Sequence, residues 1–218
     1  MDNSGVLFSR GPVPKGFVDL GLPSGTLWST KNIGATNGDT AESWYGNYYA
    51  WGETETKNDY SSRTYKYANG GYNKFTKYCS KSNFGNNGFT DELIQLVPED
   101  DVATQTNSAW RMPTKEDFEE LIAGTTNRWV TAYKGISDLN GRVFTSKVNG
   151  NMLFIPAAGY CSGSSVDYVG YVGSEGFLWS SSLDLGYPSY AYRLNFNSRS
   201  IQMLDCTRFA GGGVRPIC

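Results

Sequence analysis

No histidine occurs among the 218 residues, and that removes whole classes of chemistry. Ser-His-Asp and Cys-His nucleophile systems, His-ligated zinc or iron, and a side chain titrating near neutral pH all need a residue this chain lacks. The four cysteines, Cys79, Cys161, Cys206 and Cys218, show no CxxC spacing. Four cysteines allow three pairings, so no connectivity is deducible, and four reduced thiols are expected. Acidic residues cluster twice. Glu53 and Glu55 have no partner carboxylate brought beside them for acid–base work. Glu99-Asp100-Asp101 has the composition of a calcium ligand set, but neighbouring carboxylates on a helix point in different directions. The charged first turn of a short helix over 100–107 is the better reading. Arg111 is a candidate anion ligand, with a buried structural hydrogen-bonding role preferred. The expectation is no catalytic residue, no metal and no cofactor.

Binding chemistry is better represented. Residues 177–218 mix two kinds of position. Apolar and aromatic runs at 177–181, 192–196, 201–204 and 214–217 read as strands. Between them stand Asp184, Leu185, Gly186, Tyr187, Ser189, Tyr190, Arg193, Arg199, Ser200, Leu204, Asp205, Cys206, Thr207, Phe209 and Ala210. Size, charge and polarity change there at every step, whereas a core specifies volume and polarity position by position. Each of these residue types has a codon ending in a pyrimidine. Lys, Glu, Gln, Met and Trp, which have none, are absent from the irregular positions, while Gln202 and Met203 sit in what reads as a fixed strand. Randomising the adenines of an Asn codon yields this restricted alphabet. Tyr187, Tyr190, Phe209 and the two arginines are natural contact anchors, because aromatics and Arg dominate binding hot spots.

The elements that must position these residues can be read in order. Residues 17–28 (FVDLGLPSGTLW) predict a strand, a Pro-Ser-Gly turn and a second strand. Residues 44–53 (WYGNYYAWGE) are an aromatic layer, and 57–87 are polar loops. A helix is expected to begin at Thr90 and to end before Pro98. Residues 110–124 (WRMPTKEDFEELIAG) carry the plainest helix signal: a Thr114 cap, acids in the first turn, an apolar stripe of Phe118, Leu121 and Ile122, and a Gly124 stop. Asn149-Gly150 between 142–146 and 152–156 predicts a hairpin. A Gly/Ser-rich loop over 161–175 leads into the final strands. No internal repeat or linker interrupts the chain, so one domain is expected over 17–218 after a short extension over 1–16.

The fixed letters WSSSL (179–183), Pro188, Ala191, LNFNS (194–198), Ile201, Met203, Arg208, Gly211 and VRP (214–216) resemble the variable region of a diversity-generating retroelement target protein. The motifs YYAWGE (48–53), WRMPT (110–114) and FIPAAGY (154–160) resemble the Bacteroidales "Fibrobacter succinogenes major paralogous domain", a C-type-lectin-like scaffold related in shape to formylglycine-generating enzymes. The resemblance spans roughly 17–218. It implies an α+β fold with two short helices packed on a twisted, mostly antiparallel sheet, many long loops and termini close together. It also implies a fixed frame presenting the fifteen irregular residues as a variable surface over 177–218.

Function follows the same division. The resemblance implies a receptor-binding adhesin on a phage tail tip, recognising a bacterial surface protein or glycan, with homo-oligomerisation possible. A bacterial cell-surface or pilus-tip lectin-like domain is the alternative. A formylglycine-generating-type enzyme would need paired active-site cysteines or a bound copper, and the cysteines here stand in the wrong contexts. A calcium-dependent lectin would carry Glu-Pro-Asn or Gln-Pro-Asp with Trp-Asn-Asp, whereas Pro188 sits in Tyr-Pro-Ser. The net charge of -2 gives no electrostatic reason to expect nucleic acid. No signal peptide is read at 1–15, and no run reaches membrane-spanning length.

Overall fold

The computed structural model describes residues 11–163 and 169–218. The expected extension over 1–16 and the Gly/Ser-rich loop over 161–175 therefore lie partly outside the described residues. In chain order the elements are β1 (Phe17–Asp19), β2 (Leu27–Ser29), α1 (Glu42–Tyr45), α2 (Val102–Thr106), α3 (Lys115–Gly124), β3 (Thr125–Val130), β4 (Gly141–Ser146), β5 (Met152–Pro156), β6 (Tyr160–Cys161), β7 (Val169–Gly170), β8 (Glu175–Leu183), β9 (Tyr190–Asn197) and β10 (Ile201–Thr207). The fold is α+β. Its strands pair antiparallel as β1–β2, β3–β4–β5, β6–β7 and β10–β9–β8.

Local sequence rules explain the regular pieces. In α3 the Thr114 hydroxyl accepts from Asp117 N at 3.1 Å, and the Asp117 carboxylate accepts from Thr114 N at 2.8 Å. This reciprocal capping box satisfies two donors that a helix start leaves unpaired. Phe118 and Leu121 then bury against Trp28, Leu178, Leu194 and Phe196. The predicted hairpin forms as β4 and β5, paired from Gly141↔Pro156 to Thr145↔Met152, with Gly150 at φ 76° in the turn. The opening strand pair also forms, and it joins the end of the chain: Leu27 and Cys218 exchange backbone hydrogen bonds, and Trp28 bridges Ile217. Within 214–217 only Ile217 makes isolated bridges, and the segment is not a continuous strand.

Two expectations about helices are corrected. Residues 90–97 form no helix. The Asp91 carboxylate accepts from Tyr78 N at 2.7 Å and Cys79 N at 2.8 Å, which ties down the preceding loop. The backbone at 94–96 is held extended by β8: Leu183 N donates to Ile94 O and Leu96 N to Ser181 O, both at 2.9 Å. A partner strand's demand for hydrogen bonds outweighs a weak local helix preference. The helix expected over 100–107 begins later, as α2, after a 3₁₀ turn at Pro98–Asp100.

The acidic triplet divides its roles accordingly. Glu99 is exposed, Asp100 pairs with Lys77 at 2.6 Å and Lys66 at 3.4 Å, and Asp101 caps α2 through Ala103 N and Thr104 N. Arg111 is also corrected. Its side chain is 44% exposed and grips Asp117 with two hydrogen bonds, one of 3.0 Å. Among the described residues no helix is long and apolar enough to cross a membrane.

Candidate ligand-binding surface

The sheet β10–β9–β8 carries the irregular positions, so its frame comes first. Trp179, Leu194 and Phe196 are fully buried, as are Arg208 and Val214. Met203 and Ile201 are only partly covered, packed at the edge of the cluster that holds α3. Trp179 donates its indole N–H to Tyr49 O at 3.0 Å, and Trp51 donates to Ser180 O at 2.8 Å. The aromatic stretch at 48–53 is thus stitched to β8 by two indoles. Gly212 lies so close to Trp179 that a Cβ there would stand 2.9 Å from its ring, so position 212 has no room for a side chain.

The pairing of β8 with β9 slips between Trp179↔Arg193 and Leu183↔Ala191. The extra residues turn their backbone groups outward, and Ser181 N donates to Pro113 O at 2.7 Å. This bulge lets one strand hold the WRMPT segment and the 94–96 segment together.

Arg208 anchors the loop end. Its guanidinium donates to Tyr78 O and Pro188 O at 2.8 Å, to Lys77 O at 3.0 Å and to the Tyr65 hydroxyl at 3.0 Å. The charge sits 4.3 Å from the centre of the Phe75 ring and 5.1 Å from that of Trp51. Among the described residues no carboxylate pairs with it directly. Carbonyl dipoles and ring faces stabilise a charge that burial would otherwise expel. One side chain therefore ties the β8–β9 loop, through Pro188, to the long loop over 57–97.

Beneath it, burial pushes up the Tyr65 hydroxyl, against which Arg208 pulls down. Burial also works to raise Asp100, but Lys77, Tyr67 and Tyr78 hold its carboxyl below the ordinary value. For Asp101 burial prevails over its backbone donors, and the carboxyl is raised.

The fifteen irregular positions distribute unevenly on this frame. Leu185, Gly186, Tyr187, Arg199, Ser200 and Asp205 are exposed, while Tyr190, Arg193, Leu204, Cys206, Thr207 and Phe209 are half-buried. Asp184, Ser189 and Ala210 are buried, which corrects their assignment as contact residues. Asp184 turns its carboxylate inward to accept from Gly186 N at 2.7 Å and Tyr187 N at 3.3 Å, so it shapes the loop. Ser189 is pinned by its carbonyl to Arg208 N at 3.1 Å, and Ala210 packs in the aromatic core.

The residues also fall at two ends. The 184–190 loop and 207–210 lie at one end of β9 and β10, with Arg199 and Ser200 at the hairpin turn at the other. Eight residues of β9 separate the ends, about 25 Å of strand. Along β10 the side chains alternate: Leu204 and Cys206 share the face of their register partners Arg193 and Ala191, while Asp205 and Thr207 share that of Tyr192 and Tyr190. The single continuous patch expected from sequence does not form.

Around the loop end the surface recruits residues that sequence reasoning missed. Exposed Tyr72 meets Phe209 edge-on at 5.1 Å, Lys81 donates to Gly186 O, and Tyr187 meets Tyr190 at 6.3 Å. Exposed Ile94 faces Leu185 across a groove of about 320 Å³, which adjoins a second of about 450 Å³ beside Met203. Lys115 and Tyr192 line both, with the ammonium 4.3 Å from the ring centre. No short-range pattern marks Tyr72, Lys81 or Ile94; only the long-range network through Arg208, Asp91 and Asp100 brings their loops here.

All four cysteines are unpaired: Cys79 and Cys161 buried, Cys206 half-buried, Cys218 exposed. Burial pushes the Cys161 thiol up to about 11. Among the described residues no group of three or more acidic, Cys or His side chains is placed to hold a metal ion. Comparison with known proteins finds no matching family model, no matching curated protein and no matching solved structure.

Proposed function

We propose that this chain is a ligand-binding protein of C-type-lectin-like architecture whose carboxy-terminal surface is diversified by a retroelement. Its role is to recognise a bacterial surface molecule from a phage tail tip. One contrast carries the proposal. The letters read as fixed, Trp179, Leu194, Phe196, Arg208, Val214 and Arg215, are at most 1% exposed, whereas Leu185, Tyr187, Arg199 and Asp205 face solvent. Side chains of the second kind can change without refolding the domain, and a rigid frame lowers the ordering cost of binding. The lectin-like assignment is further supported by the opening strand β2 lying beside the last residues of the described chain, and by α3 packed under the carboxy-terminal sheet.

The test needs only DNA. A nearby near-repeat of the codons for 177–218, differing only where that template holds adenine and lying beside a reverse transcriptase gene, is the expected result. Differences spread over all four bases, or changes concentrated at Trp179, Leu194 and Phe196, would remove the proposal. The buried Asp184, Ser189 and Ala210 refine the expectation: changes there should be fewer in proteins that fold than in the DNA pool.

A further inference from the structure

β10 ends its sheet, and among the described residues no strand pairs with its outer side. The direction of each backbone group follows from hydrogen-bond parity. Asn197 N donates to Ser200 O at 3.0 Å at one end of the β9–β10 pairing, and Arg208 N to Ser189 O at 3.1 Å at the other. Antiparallel pairs alternate between bonded and non-bonded, so Gln202, Leu204 and Cys206 bond inward to β9. Ile201, Met203, Asp205 and Thr207 therefore direct their N–H groups outward. The Thr207 carbonyl is taken by Ala210 N at 3.0 Å; the carbonyls of Ile201, Met203 and Asp205 face the open edge.

This edge carries few of the usual protections. β10 contains no Pro and no Lys, its register with β9 is unbroken from Ile201↔Phe196 to Thr207↔Tyr190, and its one charge is Asp205. An unblunted edge of seven residues is a template for another strand. Its side chains add a second argument. Leu204, Asp205, Cys206 and Thr207 are consecutive irregular positions, and consecutive strand residues point to opposite faces. A ligand lying on one face would meet only half of them; a ligand running along the edge meets both halves.

We infer that the β10 edge binds an extended peptide segment of a protein ligand by strand addition; the inference rests on the ligand-binding role proposed above. The chemistry selects a polypeptide over a sugar. Outward donors and acceptors recur every second residue, at about 6.8 Å, and another extended backbone presents the complementary row at that period. Backbone hydrogen bonds are indifferent to side-chain identity. A main-chain edge therefore supplies a constant part of the affinity, while the alternating side chains of 204–207 supply specificity. That division suits a surface whose side chains change.

The probe is a display library of random linear twelve-residue peptides, selected on the full chain. A selected peptide is then resynthesised with single backbone N-methyl groups. Strand addition predicts losses of about tenfold or more at every second residue and tolerance between, because each lost donor leaves a carbonyl unpaired. Asp205→Pro removes one outward N–H at a position where an edge strand accepts Pro; it should keep the melting temperature within a few degrees and weaken the peptide about tenfold or more. Asp205→Ala, with its backbone intact, should retain most of the affinity. Losses without a two-residue period, or equal effects of the two variants, would overturn edge binding and leave the diversified-surface reading standing. Failure to select any peptide, binding of glycans alone, or occupation of the edge by a second copy of the chain would overturn the peptide ligand.

Discussion

Replacing Arg208 by Met tests the frame at its most connected point. Met preserves much of the length and apolar stem while removing every donor. Three carbonyls, of Tyr78, Pro188 and Lys77, then lose their donor in a site where Arg208 is 0% exposed, while the Tyr65 hydroxyl loses one bond and keeps the one it donates to Trp51 O. An unsatisfied buried polar group costs about 1–3 kcal/mol, and such losses are not additive. Removing the guanidinium also relieves the desolvation of its charge, which offsets part of the total. A net loss of about 3–5 kcal/mol follows. At roughly 2–4 °C per kcal/mol for a domain of this size, the melting temperature should fall by about 10 °C.

Calorimetry together with urea unfolding followed by tryptophan fluorescence would read this, since Trp51 lies against the guanidinium. Arg208→Lys should recover only part of the loss, because an ammonium cannot span four acceptors in the plane of the fork. A change below about 1 kcal/mol, with the loops intact by proteolysis, would refute the reasoning that Arg208 holds 57–97 against the β8–β9 loop.

Other outcomes follow from the same geometry. Thr114→Ala removes one half of the α3 capping box and should cost about 1 kcal/mol in the urea midpoint analysis. Thiol titration of the native protein should find Cys218 and Cys206 reacting, with Cys79 and Cys161 protected until unfolding. On the acid side, Asp100 and Asp117 are held below their ordinary values by Lys77 and Arg111 respectively, against the opposing effect of burial. Their contribution to stability is present above the unfolded value near 4 and is lost as pH falls through the lowered folded values. Asp101, raised by burial, acts in the opposite direction. Asp100→Asn should therefore flatten the acid limb of a stability-against-pH curve, and an unchanged limb would count against the pairing.

How much was legible depended on how local the cause was. The α3 cap and stripe, the Asn149-Gly150 hairpin and the opening strand pair are decided within a few residues, and all stand in the structure. The 90–97 segment was misread because its conformation is set by Ser181 and Leu183, about ninety residues away in sequence. The strand β10 runs through Leu204–Thr207 despite their mixed side chains, because pairing with β9 is a backbone matter that irregular letters conceal. Asp184 had a usable signal: Asp two residues before Gly is turn chemistry, in which the carboxylate serves its own loop. Ser189 and Ala210 had none. Their burial comes from Arg208 and the aromatic cluster over 49–79, which no local pattern reveals.

The most direct measurement is a saturation scan of 177–218, with folding read by protease resistance on a display surface. Tolerance at Leu185, Tyr187, Arg199 and Asp205, with intolerance at Trp179, Leu194, Phe196, Arg208 and Arg215, is the result a fixed frame bearing interchangeable side chains predicts. Equal intolerance at both sets would contradict it.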